Sequence, residues 1–471
     1  MTSKLKIFLL SVIFLLGYTS MSFELIVLRQ LVNFVGSNTM VTSIVISIIL
    51  LFLSLGYYIG SVISFSKKPI RQIIQYIIIY LAIWYILSCS YYLLGGYFYL
   101  LYVMGVRSTL SFVMIFSLLF LTFPSTGLGF ITSTVGRIIH RSDTAYTGRF
   151  MAVDTIGSVL GSLGTTLVLM PLIGCSYTIA FLVILNSLVL LCVSRKRDLS
   201  KNAMKFMLLC VFAILVNTEK IINPNSTLIK DDAVSRIELV EEDFENGEPL
   251  SKEILINGSN SSKISKKEDL MYGYINFINH NYINNLPKDK KHNILILGAG
   301  GFTIGKDDDF NDYTYLDIEK SMKDISENQF LEKKLEKNKK FIVEDAYLFM
   351  INNKSKYDLI VVDVYSAVFS IPTNFVTVNF FEMIKKSLND DGIMLMNIIT
   401  SPSFGNMFSK RMDNTLRYVF GNYLSRQIIQ PYNPYEYDLA NIVYVYYNKE
   451  IDNNIYTMNE NSAVYGQELS W

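Results

Sequence analysis

Six apolar runs in the first half of the chain constrain its fold more than any other feature. A helix needs about 20 apolar residues to cross the hydrocarbon core of a bilayer. The chain of 471 residues is 51% hydrophobic, which is high for a wholly water-soluble protein. We therefore predict a polytopic helical membrane domain over residues 1–219, with spans at about 5–25, 40–65, 73–99, 109–135, 149–174 and 176–194.

A seventh apolar run, 203–216, is too short to assign on length alone. It has fourteen residues before Asn217, a length at which an interfacial or re-entrant helix competes with a span. Basic residues cluster on one side of the predicted spans, which predicts that this side is cytoplasmic. Six spans would leave the polar half inside and seven would leave it outside. The basic residues are Lys4, Lys6, Lys67, Lys68, Arg71, Arg137, Arg141, Arg149, Arg195, Lys196 and Arg197.

Charged residues within the spans have two interpretations, and small residues there predict a packing contact. Glu24, Arg29 and Asp154 lie near span ends, where they serve either as functional intramembrane charges or as interfacial pairs. Small residues lie close to one face of the fifth span, and they predict a seam where another helix packs closely. These small residues are Gly157, Gly161 and Gly164.

Composition argues against several classes of site. The net charge of +1, without a basic tract interleaved with aromatic residues, predicts no nucleic-acid binding. All four cysteines lie in or beside apolar runs, which suggests neither a disulfide framework nor a thiolate metal site. The three histidines, His140, His280 and His292, are too scattered for a zinc site or a Ser-His-Asp triad. Any chemistry should use carboxylates, tyrosines or a cofactor.

The polar half begins with a small β-region and a linking helix, predicted over residues 220–290. Segments 235–241 and 252–257 alternate apolar and polar residues on either side of a turn-like ENGEP, which predicts a β-hairpin. Tyr272, Tyr274 and Phe277 follow in a predicted helix. An aromatic stripe of this kind is more often core than site.

A strand, a glycine-rich turn and a second strand ending on an acid occupy residues 293–317. Gly298, Gly300 and Gly301 allow a sharp turn and leave room beside the backbone for a ligand. Asp317 stands nineteen positions after Gly298, where an acid at a strand tip can accept both hydroxyls of a ribose. Thr303 replaces the third glycine of the dinucleotide fingerprint, which argues against an NAD-dependent oxidoreductase.

Residues 291–471 are predicted to form an α/β domain whose parallel sheet is covered on both faces. Asp317, Asp345 and Asp363 all fall at carboxyl ends of predicted strands and should converge on one crevice, although each also suits a helix cap. The elements after Asp317 are predicted as helix 320–335, strand 340–345, helix 346–352, strand 357–364, helix 377–388, strand 392–398, helix 404–420, and strands 423–430 and 441–448.

Several segments resemble one enzyme family. ILILGAGG, YLDIEKS, FIVEDA and YDLIVVDVYS resemble the polyamine aminopropyltransferases, that is, spermidine synthase-like proteins with a methyltransferase-type (Rossmann-type) fold. SFELIVLRQLVNFVGSN and GRFMAVDTIGSVLGSLGTTLVLMPLIG resemble the membrane half of multispanning members. The resemblance implies transfer of an aminopropyl group from decarboxylated S-adenosylmethionine to a small amine such as putrescine, without a metal.

The resemblance also implies residue roles. The turn at Gly298, Gly300 and Gly301 would hold the nucleoside together with Asp317. Asp345 with Ala346 would contact adenine. Asp363 would receive the amine proton, and Tyr272 would position the amine.

The chain departs from the family at three acidic positions, now Gly301, Tyr315 and Ser366. The missing acid at Gly301 would grip the aminopropyl end of the decarboxylated cofactor. A methyltransferase using intact S-adenosylmethionine therefore remains an alternative, as does a transporter or sensor that binds a nucleoside without turnover. The expected partners are the amine and the lipid bilayer; whether the chain forms a homo-oligomer stays open. Because adenosyl cofactors are cytoplasmic, we expect an inner or plasma membrane protein with 203–216 interfacial and the catalytic domain inside.

Overall fold

A computed structural model describes residues 3–36, 39–63, 70–106, 108–142, 146–365, 371–421, 424–430 and 438–449. By its internal contacts the chain divides into two compact units. The first consists mainly of Met1–Tyr272, joined by Ser321–Lys334. The second consists mainly of Gly273–Lys320, Leu335–Asp363 and the chain from Thr373 onward.

The first unit begins with a bundle of helices. The helices are α1 Ser3–Val35, α2 Thr39–Val62, α3 Ile70–Cys89, α4 Tyr91–Val103, α5 Thr109–Phe116, α6 Thr122–Ser142, α7 Tyr146–Gly164, α8 Met170–Val193, α9 Leu199–Asn217 and α10 Glu219–Ile222. Two short π-helical turns, Ser117–Leu121 and Thr165–Leu169, join α5 to α6 and α7 to α8. Gly174 breaks α8 with a φ of 82°.

Six helical segments of the bundle are long and apolar enough to cross a membrane. They fit the predicted membrane-spanning region, with two differences. The run 73–99 divides at Ser90, which has an extended backbone, so α3 is followed by a separate α4. The run 203–216, expected to be interfacial, belongs to a segment of spanning length. The six are Leu5–Val35, Thr39–Val62, Ile70–Cys89, Thr109–His140, Thr147–Val193 and Lys196–Asn217.

The small residues of α7 form the predicted packing seam. A Cβ added at Gly157 would lie 2.3 Å from the carbonyl oxygen of Phe14, and one at Gly161 would lie 2.2 Å from that of Tyr18. The backbones of α1 and α7 are therefore too close for any side chain at these positions, as small-residue helix contacts in membranes require.

A four-stranded antiparallel sheet follows the bundle, with its strands in sequence order. The predicted hairpin is confirmed. Asn246 and Gly247 connect its two strands, both with positive φ, as a tight two-residue hairpin turn requires. The strands are β1 Ser226–Asp231, β2 Arg236–Glu245, β3 Glu248–Ile256 and β4 Ser259–Ser265.

The second unit is built on a seven-stranded mixed sheet in the order β10-β11-β9-β8-β5-β6-β7. Strands β7, β6, β5, β8 and β9 are parallel, and β11 is antiparallel to both β9 and β10. This is the Rossmann-like methyltransferase fold that the sequence predicts. The strands are β5 Asn293–Leu297, β6 Asp312–Asp317, β7 Lys339–Val343, β8 Tyr357–Val362, β9 Leu388–Thr400, β10 Ser425–Ile428 and β11 Ala440–Tyr447.

Two connections differ from the predicted alternation. Parallel neighbouring strands are usually joined by a helix, but residues 302–311 between β5 and β6 form turns, and Gly305 there has a φ of 72°. Helix 320–335 reduces to α12 and one π-helical turn, Ser326–Phe330, and this segment groups with the first unit. The remaining helices are α11 Gly273–Ile278, α12 Met322–Ile325, α13 Ala346–Asn352, α14 Val378–Lys386 and α15 Met407–Phe420.

Candidate active site

The glycine-rich turn closes directly onto the end of β6. The amides of Gly298 and Ala299 both donate to the carbonyl oxygen of Leu316, at 3.0 and 2.9 Å. Gly298 has a φ of 90° and Gly300 a φ of 48°, a region that side chains disfavour. Glycine at these two positions therefore lets the backbone fold tightly beside the tip of β6.

Asp317 is the last residue of β6 and lies against this turn. Its Oδ2 accepts from the amide of Gly300 at 3.3 Å, and its Oδ1 accepts from the amide of Glu319 at 2.9 Å. Burial raises the pKa of the Asp317 carboxyl, and these backbone donors partly offset that effect. Among the described residues no lysine or arginine forms an ion pair with it, so its charge is stabilised by amides alone.

Asp363 follows β8 immediately and lies, partly buried, beside the same turn. Its amide donates to the carbonyl oxygen of Leu297 at 2.9 Å, which fixes it next to the end of β5. The hydroxyl of Tyr274 donates to Oδ2 at 2.9 Å, and the amide of Asn397 donates to Oδ1 at 3.0 Å. Burial raises the pKa of Asp363 to about 6, although these two hydrogen bonds lower it. Such a carboxyl can change protonation near neutral pH.

Asp345 caps the helix after β7. Its Oδ1 accepts from the amides of Tyr347 and Leu348 at 2.8 and 3.0 Å, and Ala346 is the buried first residue of α13. The helix-cap reading of this acid is therefore correct. Both amides donate to Oδ1, so Oδ2 of Asp345 and the backbone of Ala346 are the groups that could contact an adenine. This contact stays a prediction.

The sheet order brings the three acids to one edge. Strands β8, β5, β6 and β7 are adjacent and parallel, so their carboxyl ends, with Asp363, the glycine-rich turn, Asp317 and Asp345, follow each other along that edge. Open α/β sheets bind ligands in this position. Gly301 is buried within the turn, Tyr315 is buried in β6, and Ser366 lies outside the described residues.

Asp363 has two partners that the sequence did not predict. The sequence pattern favoured a core role for Tyr274, but its hydroxyl donates to Asp363. Tyr272 belongs to the other compact unit, and its predicted role stays a prediction. Asn397 is a buried amide within the apolar strand β9. A polar residue inside an apolar run was a usable signal for Asn397. No comparable signal separated Tyr274 from its aromatic neighbours.

An open cleft of about 320 Å³ in the second unit lies elsewhere, between α11 and β10. Asn276, His280 and Gln427 are among its lining residues, and none of the predicted site residues lines it. Concavity therefore does not identify the site. The sheet edge instead carries two partly buried acids, Asp317 and Asp363, neither of which forms an ion pair with a described basic residue. No group of three or more His, Cys, Asp or Glu side chains that could hold a metal occurs in that described part.

These observations define a class. The second unit is a methyltransferase-type domain with an acidic crevice at the carboxyl edge of its sheet. Residues 275–450 match the family model described as the spermine/spermidine synthase domain.

Solved structures similar to the chain include two spermidine synthases. One is a probable spermidine synthase from Corynebacterium glutamicum, 23% identical, with a TM-score of 0.39 over 46% of this chain and 78% of that one. Another is the spermidine synthase of Thermotoga maritima, 14% identical, with a TM-score of 0.35 over 46% and 70%. A TehB-like SAM-dependent methyltransferase from C. glutamicum is 18% identical, with a TM-score of 0.26 over 37% and 86%. A comparison with curated proteins found no match.

Proposed function

We propose that the protein is a membrane-bound aminopropyltransferase, which moves an aminopropyl group from decarboxylated S-adenosylmethionine to a small amine such as putrescine. The observation that carries the proposal is the environment of Asp363: a partly buried acid at a strand tip, beside the glycine-rich turn, held by a tyrosine hydroxyl and an amide. The family match of residues 275–450 supports the same reaction class.

The nucleoside would lie across the tips of β5, β6 and β7. Both oxygens of Asp317 retain lone pairs after accepting one backbone amide each, and these can accept the two ribose hydroxyls. Asp345 and Ala346 would face the adenine. The co-substrate carries a sulfonium and an ammonium, and a crevice with acids but no described basic partner favours such a cation.

Asp363 would act on the acceptor amine. The amine nitrogen attacks the carbon next to the sulfonium, so that a C–N bond forms, the C–S bond breaks and the thioether nucleoside leaves. The nitrogen releases one proton in this step, and the Asp363 carboxylate can accept it. A pKa of about 6 leaves this group ionised at neutral pH and still basic enough to take part. Tyr274 and Asn397 would orient it.

The test uses the full chain in detergent micelles or nanodiscs with decarboxylated S-adenosylmethionine and a panel of diamines. Mass spectrometry should detect two products in equal amounts, the aminopropylated amine and the thioether nucleoside. Absence of both products from a folded preparation that still binds the co-substrate would refute aminopropyl transfer and leave a binding protein or sensor.

Methyl transfer is the second candidate, and Gly301 is the observation that favours it. The family acid that grips the cationic end of the decarboxylated co-substrate is missing there, so selection against intact S-adenosylmethionine is weaker. Replacing the co-substrate by labelled S-adenosylmethionine in the same assay separates the two reactions. Labelled methyl on an acceptor, without aminopropylation, would establish the methyltransferase instead.

A further inference from the structure

One end of the helix bundle holds the four-stranded sheet, and we call it the sheet end. Arg29, near the end of α1, donates from Nε to the carbonyl oxygen of Asp232 at 2.7 Å. The amide of Ser176, just after the break in α8, donates to Oδ2 of Asp231 at 2.8 Å. Both acceptors belong to β1 or to the turn that follows it. The end of α1 and the break in α8 therefore lie at the sheet end.

The end of α9 also lies there. Asn217, its last residue, donates to the hydroxyl of Ser90, which directly follows α3, at 3.1 Å. Tyr91, the next residue, has its ring 4.0 Å below the guanidinium of Arg236 in β2. The chain thus leaves its last apolar helix at the sheet end.

The opposite end, which we call the basic end, is defined by other contacts. Arg137, near the end of α6, donates to the carbonyl oxygens of Ser61 and Ile63 at 2.9 and 2.6 Å, which brings the ends of α2 and α6 together. Asn202, at the start of α9, donates to the hydroxyl of Ser194, just after α8, at 2.7 Å. Helix α9 therefore runs from the basic end to the sheet end beside α8.

Parallel packing places the amino terminus of α1 at the basic end as well. Gly157 lies against Phe14 and Gly161 against Tyr18, so α1 and α7 run in the same direction. The start of α7 is at the basic end because Thr147 pairs with His140 of α6 at 2.9 Å. Helix α1 thus starts at the basic end and finishes at the sheet end.

The two ends differ sharply in basic residues. The connections at the sheet end, residues 36–38, 90–108 and 165–175, contain one basic residue, Arg107, which lies outside the described residues. Short loops rich in lysine and arginine stay in the cytoplasm. In the sequence, the segments that lead into and out of the basic end contain Lys4, Lys6, Lys67, Lys68, Arg71, Arg137, Arg141, Arg149, Arg195, Lys196, Arg197, Lys201 and Lys205.

From these contacts we infer that the chain crosses the bilayer seven times and that its spermine/spermidine synthase domain lies on the extracytoplasmic side. The 47-residue segment Thr147–Val193 counts as two crossings because Gly174 breaks it at the sheet end, and Lys196–Asn217 is the seventh. No described residue after Asn217 belongs to a further candidate span. This reverses the orientation expected when 203–216 is taken as interfacial.

The orientation decides where the substrates come from. A charged adenosyl compound or amine does not cross the hydrocarbon core unaided. The site would therefore draw both from outside the cell or from an exporter. This inference concerns the side of the membrane and does not depend on which reaction the domain performs.

Cysteine labelling of the full chain tests this membrane orientation. It uses a matched pair of substitutions at exposed positions, Ser355→Cys in the synthase domain and Ser200→Cys at the start of α9. The background variant carries Cys192→Ala and Cys210→Ala, because Cys89 and Cys175 are buried. A membrane-impermeant maleimide is applied to intact protoplasts and to permeabilised ones.

We expect Ser355→Cys to be labelled equally in both preparations and Ser200→Cys only after permeabilisation. The reverse pattern would overturn the inference. Fusion of the unsubstituted chain to alkaline phosphatase, which is active only outside the cytoplasm, gives a second readout: an active fusion is expected, and an inactive one at normal expression would overturn the inference too. Transfer activity of detergent-solubilised protein is measured separately, so failure of the proposed reaction does not change either result.

Discussion

Acids with little exposure to solvent are stabilised in different ways in the two compact units. In the first unit, Asp231 and Glu238 share the guanidinium of Arg236, which lies 3.3 Å from Asp231 and also ion-pairs with Glu238. In the second unit, Asp317 and Asp363 have amides and one hydroxyl as partners, and no basic side chain among the described residues.

The difference separates structural acids from site acids. A buried charge needs either a counter-charge or several hydrogen bonds, and Arg236 supplies the counter-charge for Asp231 and Glu238. The second unit leaves its acids to be neutralised by something else. A cationic ligand such as a sulfonium nucleoside or a protonated amine would supply the missing charge.

The largest expected effect is on turnover and tests whether Asp363 takes the amine proton. Asp363→Asn should lower the rate of transfer about 10²- to 10⁴-fold while co-substrate binding largely survives, because the amide cannot accept the proton. Rapid-quench turnover with saturating co-substrate measures this. Asp358→Asn, at the opposite end of the same strand β8, is the matched control and should leave the rate nearly unchanged. Equal losses in both variants would indicate damage to the strand rather than lost catalysis.

The next largest effect is on stability and concerns Asp231 and Glu238, the two acids that pair with Arg236. Arg236→Met keeps an unbranched side chain but removes the guanidinium and leaves Asp231 and Glu238 buried without their cation, which should lower the free energy of unfolding by about 3–5 kcal/mol. Unfolding in mixed micelles measures it. Lys266→Met removes an exposed pair with Glu248 and should change stability by roughly 0–1 kcal/mol. Similar values for the two variants would mean that Arg236 does not stabilise the buried acids.

Binding should respond to the acid at the tip of β6. Asp317→Asn removes the charge that accepts the ribose hydroxyls and attracts the sulfonium. The affinity for decarboxylated S-adenosylmethionine should fall about 10- to 100-fold, as expected for 1.5–3 kcal/mol per hydrogen bond to a charged group. Asp312→Asn, at the other end of β6, should bind normally. Unchanged affinity in Asp317→Asn would remove this acid from the site.

The smallest effect is a shift in pH dependence. Asp363 must be ionised to accept a proton, and its pKa is raised to about 6, so the transfer rate should rise with pH through about 6 and then level off. Tyr274→Phe removes a donor that stabilises the carboxylate, so the pKa should rise further and the midpoint should move to higher pH. The rate at neutral pH should fall roughly 2- to 10-fold, the value of one hydrogen bond. A midpoint that stays in place would assign Tyr274 a packing role only.

Local sequence signals predicted much of this arrangement. The glycine turn, the strands ending on acids and the hairpin at Asn246 and Gly247 depend on neighbouring residues, and these predictions match the structure. Tyr274 could not be chosen over Tyr272 because both lie in one aromatic stripe, and only tertiary packing decides which hydroxyl reaches Asp363. Tertiary contacts also explain why no helix forms at 302–311, because Gly305 and the closing of the glycine-rich turn onto β6 override the usual alternation of strand and helix.

The helix bundle shows a second limit of the sequence. Residues 203–216 are marginal as a span, and length alone left their placement open. Contacts at both ends of α9, through Asn202 and Asn217, fix its course along the bundle. One additional crossing reverses the side of the membrane on which the catalytic domain lies. A short marginal segment therefore decides the cellular setting of the reaction.

The most direct test of the unpaired acids is isothermal titration of the full chain in nanodiscs with two ligands that differ in charge. Decarboxylated S-adenosylmethionine carries a sulfonium and an ammonium, whereas methylthioadenosine is a neutral nucleoside. We predict that the cationic ligand binds at least about tenfold more tightly at pH 7.5, as one hydrogen-bonded charge would give. The preference should shrink at pH 5, where Asp363 is protonated. Equal affinities at both pH values, or tighter binding of the neutral ligand, would contradict the account.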